Sequence, residues 1–339
     1  MTNFKAYFRL HLKADIKPFI YILAVVLVLT FLMGMSLQPV ERFDHFTGKL
    51  YIEYHSTLYI PVVFLCILTY VLPVMEFSFF KKRIHLDCAY SLPISRRTMG
   101  IVHYLTGLII LFCAFSYSYL LNFAMLIGRG TKWFNFAPMA SHYLLCLLLG
   151  FSMYSVMVFV FNRANTRGDG IWFMILYTFV FCLVISAYAQ LVDNWYWSEA
   201  IYPAVLWGVI DTMTVAYQRV VEISEGGSVA ELWQMQKFVT LFVFWVLAGI
   251  ASAAGLYFTF GKRRMEITEE ISDSFFGFRT LIPIYAVTGM IVFEVSDSII
   301  SWVIIELFAL LGYTIYRRGF HYKKSDIAIL CALAIFLFI

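Results

Sequence analysis

Apolar runs of about twenty residues recur along this chain, and they constrain its fold more than any other feature. A helix of that length reaches across the roughly 30 Å hydrocarbon core of a bilayer. The runs lie at about 18–38, 57–79, 99–127, 139–161, 170–191 and 237–260, with two more at about 280–296 and 298–316. Composition points the same way. The 339 residues are 62% hydrophobic and 14% charged, with a mean hydropathy of +0.80, whereas a soluble domain has about 45–50% apolar and 25% charged residues. The expected fold class is an all-α polytopic membrane protein. The last run, 327–339, reaches only about 20 Å at 1.5 Å per residue, so it ends as a half-span or the natural protein continues; the second is preferred.

Residues 1–17 are too polar for a cleaved signal peptide. Phe4, Tyr7, Phe8 and Leu12 recur at helical spacing while Lys5, Arg9 and Lys13 fall on the other side, the pattern of an amphipathic helix lying in the headgroup region. A polar, Tyr-rich loop with Glu41, Asp44 and Glu53 separates the first two runs. Trp133, Phe134 and Phe136 suit an interfacial belt. Residues 192–236 form the longest segment outside the spans. Its middle is helical in pattern but interrupted by Asp211, and reads as a surface or re-entrant helix. In the run 237–260, Ala248/Ser252, Gly249/Ala253 and Ala251/Gly255 are small-residue pairs that let helices approach closely, within one subunit or across a dimer seam. A charged segment, 261–279, then leads to the additional C-terminal spans, 280–339.

Counting Lys and Arg sets the expected topology. With the N-terminus inside, nineteen of the 25 basic residues fall in cytoplasmic segments, six in external loops and none within a span, as the positive-inside rule requires. The net charge of +4 is dispersed at span boundaries and offers nucleic acid no patch. Five of the six cysteines lie in apolar runs and Cys88 outside them; no Cys/His spacing suggests a metal, and none is expected.

Catalytic signatures are missing: there is no G-x-x-x-x-G-K-[ST] loop, no H-E-x-x-H and no G-x-S-x-G. The seven histidines are scattered and read as interfacial or packing residues. Glu306 falls near the middle of the run 298–316, where a charged carboxylate costs several kcal/mol unless paired or protonated. It is either a contact in a substrate pathway or a packing residue that is protonated or hydrogen-bonded. Glu76 lies near the end of the second run, within reach of the adjacent Lys/Arg cluster, and is expected to be structural.

The most distinctive stretch is EFSFFKKRIHLDCAYSLPISRRTMGIVHYLTG, residues 76–107. Lys81, Lys82, Arg83, Arg96 and Arg97 make it basic. Pro93 should break a helix beginning near Ser78, and Ser95 should cap the next one. Ser91 to Arg97 with Gly107, together with Phe260 to Glu266 (FGKRRME), resembles the permease subunits of ABC-2-type exporters, best over residues 1–270. That family's plan has six spans, so the two extra ones depart from it. The resemblance implies a permease core at 18–260 that pairs with a second, like permease and docks on a dimer of cytosolic ATP-binding cassette subunits, which would hold ATP and magnesium. The segment 78–98 would be the coupling segment, presenting Ile84, Leu86 and Tyr90 as apolar anchors and Lys81, Lys82, Arg83, Arg96 and Arg97 to acidic groups; its alternative role is to fix topology and bind anionic lipid headgroups. The expectation is a multi-pass subunit of the bacterial plasma membrane that exports an apolar or amphipathic substrate (a peptide, an antimicrobial or a lipid-like molecule), has no catalytic residue or cofactor of its own, and uses Glu306 in the pathway if anything. The alternatives are an intramembrane hydrolase or transferase, and a proton-coupled transporter using Glu306.

Overall fold

The computed structural model describes residues 2–36, 40–43, 50–53, 58–84, 91, 93–128, 136–191, 207–222, 233–234, 236–261, 268–292 and 299–335. The described chain is helical apart from one short antiparallel ladder. In order come α1 (Thr2–Ala14), α2 (Ile16–Ser36), β1 (Val40–Phe43), β2 (Leu50–Glu53), α3 (Tyr59–Phe77) with a 3-10 turn at Ser78–Lys81, α4 (Arg96–Gly128), α5 (Phe136–Arg163), α6 (Arg167–Leu191), α7 (Gly208–Glu222), α8 (Gln236–Phe260), α9 (Phe278–Val292), α10 (Ile299–Arg317) and α11 (Lys324–Ile335). Among the described residues, six helices are long and apolar enough to cross a membrane: α2, α3 with its 3-10 turn, α4, α5, α6 and α8. These are the six runs expected before residue 261. Of the two expected later, α9 has 15 residues, about 22 Å, and α10 has 19.

Two expectations about connecting segments change. The loop after α2 contains β1 and β2, paired with Val40 opposite Glu53 and Phe43 opposite Leu50. The helix that begins at Ser78 is a 3-10 turn ending at Lys81, after which the chain turns extended at Lys82 (φ −119°, ψ 128°); helical geometry resumes at Arg83 and Ile84, and residues 85–90 lie outside the described residues. The expected cap of α4 is present, with the Thr98 N–H donating to Ser95 Oγ at 3.1 Å.

The helices divide into two compact units. Unit 1 comprises residues 1–76, 93–156 and 209–262; unit 2 comprises 77–92, 157–208 and 263–339. In unit 1, α4 packs against α1, α2 and α8. Thr30 of α2 and Ser118 of α4 share a buried hydrogen bond of 2.8 Å, which satisfies two hydroxyls in an otherwise apolar seam. Gly100 leaves room for the Phe260 ring, and Gly249 leaves room for the Ser152 backbone, whose Cα would lie 2.5 Å from a Cβ at 249. The small-residue stripe of α8 thus serves packing within the chain at Gly249. The helix inside 192–236 exists as α7 and runs straight through Asp211. Val209, Ile210, Met213, Thr214 and Tyr217 are buried, with Thr214 Oγ1 3.1 Å from His142 Nε2.

In unit 2, α9 packs on α6 and α10, and α10 and α11 form a hairpin. Phe173 meets Phe278 edge-on at 4.8 Å, and the Tyr285 hydroxyl donates to the Leu176 carbonyl. Arg317 holds Asp326 across the α10–α11 turn with two bonds of 2.7 and 2.9 Å.

Candidate functional site: a rooted basic segment and a buried histidine–carboxylate cluster

The basic residues expected to face a partner occupy different environments. Lys81 is 2% exposed. Its ammonium donates to the Phe161 carbonyl at 2.8 Å and to the Ala164 carbonyl, at the C-terminal end of α5, where helix carbonyls lack intrahelical donors. Lys81 therefore stabilises unit 2 from within, which corrects its expected place on an outward surface. A long lysine stem can bury itself while its charge meets a helix end, a distinction that sequence does not make. Lys82, Arg83 and Ile84 are exposed, Ile84 to 79%. Arg83 donates to the Thr268 carbonyl at 2.8 Å and lies 3.6 Å from Glu270. Arg96 and Arg97, in unit 1, are exposed, with the Arg97 guanidinium 5.1 Å from the Tyr257 ring centre. Leu86 and Tyr90 lie outside the described residues, as do Lys262 to Glu266 of the FGKRRME phrase.

The segments around Lys81–Arg83, Asn165–Asp169, Thr268–Asp273 and Arg318–Lys323 meet one another in unit 2, and charge counting had assigned all four to one side. The Glu269 N–H donates to the Asn165 carbonyl at 3.2 Å, and the Asn165 N–H donates to Ser272 Oγ at 2.8 Å. Arg318 donates to the carbonyls of Glu269 and Glu270 at 3.1 and 3.3 Å. Glu269 is held at φ 69°, a left-handed conformation that non-glycine residues keep only where neighbours over-determine it. A cleft of about 410 Å³ beside this platform is lined by Ile271, Asp273, Arg317, His321, Tyr322 and Lys323. Its cations are engaged: Arg317 with Asp326, and Lys323 3.9 Å from Asp273. Burial would raise the Asp326 carboxyl, but the Arg317 guanidinium and the Lys323 backbone N–H outweigh it and hold it below the usual carboxylate range.

Glu306, on α10, has a buried Oε2 without a hydrogen-bond partner. Of the two forms of the packing reading, a protonated carboxyl or a hydrogen-bonded one, the second is not met at that atom.

Unit 1 holds an arrangement that sequence reasoning missed. The apolar side of α1 is half-buried and its basic side exposed, as expected, but Tyr7, His11 and Asp15 also fall on the inner face at intervals of four. From there His11 Nε2 lies 3.2 Å from Glu76 Oε2 on α3, and His103 Nδ1 on α4 lies 3.2 Å from the same oxygen. Glu76 is thus paired with two imidazoles in unit 1, not with the basic cluster as expected. The two imidazole centres are 3.9 Å apart. Asp15 Oδ2 sits 3.1 Å from His11 Nε2 but is buried without a hydrogen bond, because one ring N–H cannot serve two carboxylates. Burial first, then the Glu76 charge, pushes the Asp15 carboxyl up to about 6, against a smaller lowering by His11. The Tyr7 hydroxyl stands 3.4 Å from His103 Nε2, and its pKa is raised by burial and then by Asp15 and Glu76. The available sequence signal was that His11 and Asp15 share the apolar face of α1. Nothing local linked that face to Glu76 or His103.

No protein-family model, curated protein or solved structure matches the chain.

Proposed function

We propose that this chain is the permease subunit of an ATP-driven exporter resembling the ABC-2 type. It would move an apolar or amphipathic substrate out of a bacterial cytoplasm and be energised by separate ATP-binding cassette subunits. One observation carries the reading: the basic segment leaving α3 combines a fixed root with an exposed tip. Lys81 is locked onto the end of α5 and Arg83 onto the 268–270 turn, while Lys82 and Ile84 face outward. A chain without a nucleotide-binding motif must receive work from outside. A displacement imposed on an element rooted in this way reaches the membrane helices instead of being absorbed by a slack loop. Six helices of spanning length supply the body to be moved.

The partner-facing set on this reading is Lys82, Arg83, Ile84, Leu86, Tyr90, Arg96 and Arg97. Apolar residues flanked in sequence by cations suit a cleft with an acidic rim. The test is the double variant Leu86→Asp/Tyr90→Asp in the native complex. It should insert in the membrane normally and lose both co-purification of an ATPase and stimulation of its activity; normal retention of both would refute the assignment. The enzyme alternative is favoured by a different observation, the convergence of two histidines and two carboxylates in unit 1. It requires turnover that continues without any ATPase.

A further inference from the structure

The geometry points to a divalent transition-metal site in unit 1, with His11 Nε2, His103 Nδ1 and Glu76 Oε2 as ligands and Asp15 Oδ2 beside them as the fourth. This inference is independent of the exporter reading.

The three ligand atoms come from three helices and lie within 4.8 Å of one another. Two of their separations, His11–Glu76 and His103–Glu76, are 3.2 Å, and His11–Asp15 is 3.1 Å. Donors around a tetrahedral zinc ion at about 2.0–2.1 Å stand roughly 3.3–3.4 Å apart, so these separations need little adjustment. Hydrogen bonding alone leaves the cluster unfinished. Both imidazoles address one oxygen of Glu76, and Asp15 Oδ2 has no donor. A cation at the centre answers every one of these lone pairs at once.

The outer contacts fit as well. A ligating histidine ordinarily gives its other ring N–H to an acceptor, which fixes the ring. With His103 Nδ1 on the metal, His103 Nε2–H faces the Tyr7 hydroxyl at 3.4 Å. Two imidazoles with two carboxylates match zinc and its first-row neighbours. Magnesium and calcium favour all-oxygen sets, and copper(I) favours thiolates and thioethers. The four side chains are half-buried or buried, and the filled set leaves no position for a reacting water, as in a structural site. Its effect would be to fasten α1 to α3 and α4.

The test uses the full chain in lipid nanodiscs, stripped with EDTA and titrated with Zn²⁺ against a competing chelator, with elemental analysis of the loaded protein. Wild type should take up one zinc per chain. His11→Ala and His103→Ala should each weaken binding by about a hundredfold or more, and Tyr7→Phe by about tenfold, the range seen for outer-shell partners. His321→Ala, at an exposed histidine of unit 2, should bind as wild type does. Substitution with Co²⁺ should give wild type the visible absorption bands of a tetrahedral site, a readout that holds even where a variant fails to fold. Absence of saturable Zn²⁺ binding and of those bands in wild type overturns the proposal. So does one-to-one binding that His11→Ala and His103→Ala leave unchanged.

Discussion

In unit 2, Lys81 ends on two helix carbonyls and Arg317 on a carboxylate, while in unit 1 two imidazoles crowd one oxygen of Glu76 and leave Asp15 Oδ2 without a donor. Both regions bury charge at helix ends. In the first, charged donors and acceptors are matched, and the network explains itself as structure. In the second, two carboxylates share the donors of two imidazoles, and Asp15 Oδ2 is left without one. Buried polar groups without partners cost more than hydrogen-bonded ones return; a lone unpartnered atom such as Glu306 Oε2 occurs in unit 2 as well, so it is the convergence of several ligand-type groups around the unpartnered one that marks the candidate site in unit 1.

This contrast can be broken first at Lys81. Lys81→Ala removes two charge-assisted hydrogen bonds and uncaps the end of α5, and should destabilise the protein by roughly 3 kcal/mol. The loss should appear in denaturation in detergent and be the same with zinc or EDTA. A neutral result would mean that the platform is not held as described. Gly249→Val probes unit 1 away from the cluster. A side chain there meets the Ser152 backbone, and the expected cost is about 2 kcal/mol; an unchanged melting temperature would show that α8 and α5 can move apart freely.

A smaller effect is expected at Asp326→Asn, about 1.5 kcal/mol at neutral pH. Its pH dependence has a definite sign. The folded state holds the Asp326 carboxyl below its usual range, so the folded protein binds fewer protons there than the unfolded chain as pH falls past about 4. The stabilisation is complete above that pH and is lost as pH drops through the depressed value. Melting curves of wild type and Asp326→Asn should therefore differ at pH 7 and converge in acid. The smallest effect is expected at Ser95→Ala, about 1 kcal/mol through loss of the α4 cap, with Ser95→Asp retaining most of it. If Ser95→Ala cost as much as Lys81→Ala, helix ends would matter as much as buried charge, and the contrast between matched and unmatched networks would lose its weight.

Much of the fold was legible along the chain. Unbroken apolar runs announced α2 to α6 and α8. Ser95 and Pro93 announced where α4 begins, and the alternation of Phe4, Tyr7, Phe8 and Leu12 with Lys5, Arg9 and Lys13 announced α1. The helix at 208–222 was visible too, although Asp211 was taken as an interruption and not as part of it. The pairing of β1 with β2 was not visible, because the chain between them was read only for its polarity.

The candidate site was far less legible. Lys81 and Lys82 are adjacent and chemically alike, yet one is buried in unit 2 and the other exposed. Glu76 was assigned to the nearby basic residues and is instead bonded to His11 and His103, 65 and 27 positions away.

The amino-acid order by itself determined that this is a helical chain of repeated apolar stretches able to cross a membrane, six of them before residue 261, with its basic residues kept to their ends, since length, hydropathy and capping act over neighbouring residues. Only the tertiary structure decided which way those helices turn. A helix that is apolar all round has no strong preferred face, so the rotation of α3 and α4, and with it the meeting of Glu76 and His103 with the inner face of α1, is settled by side-chain packing between segments far apart in sequence, as is the burial of Lys81.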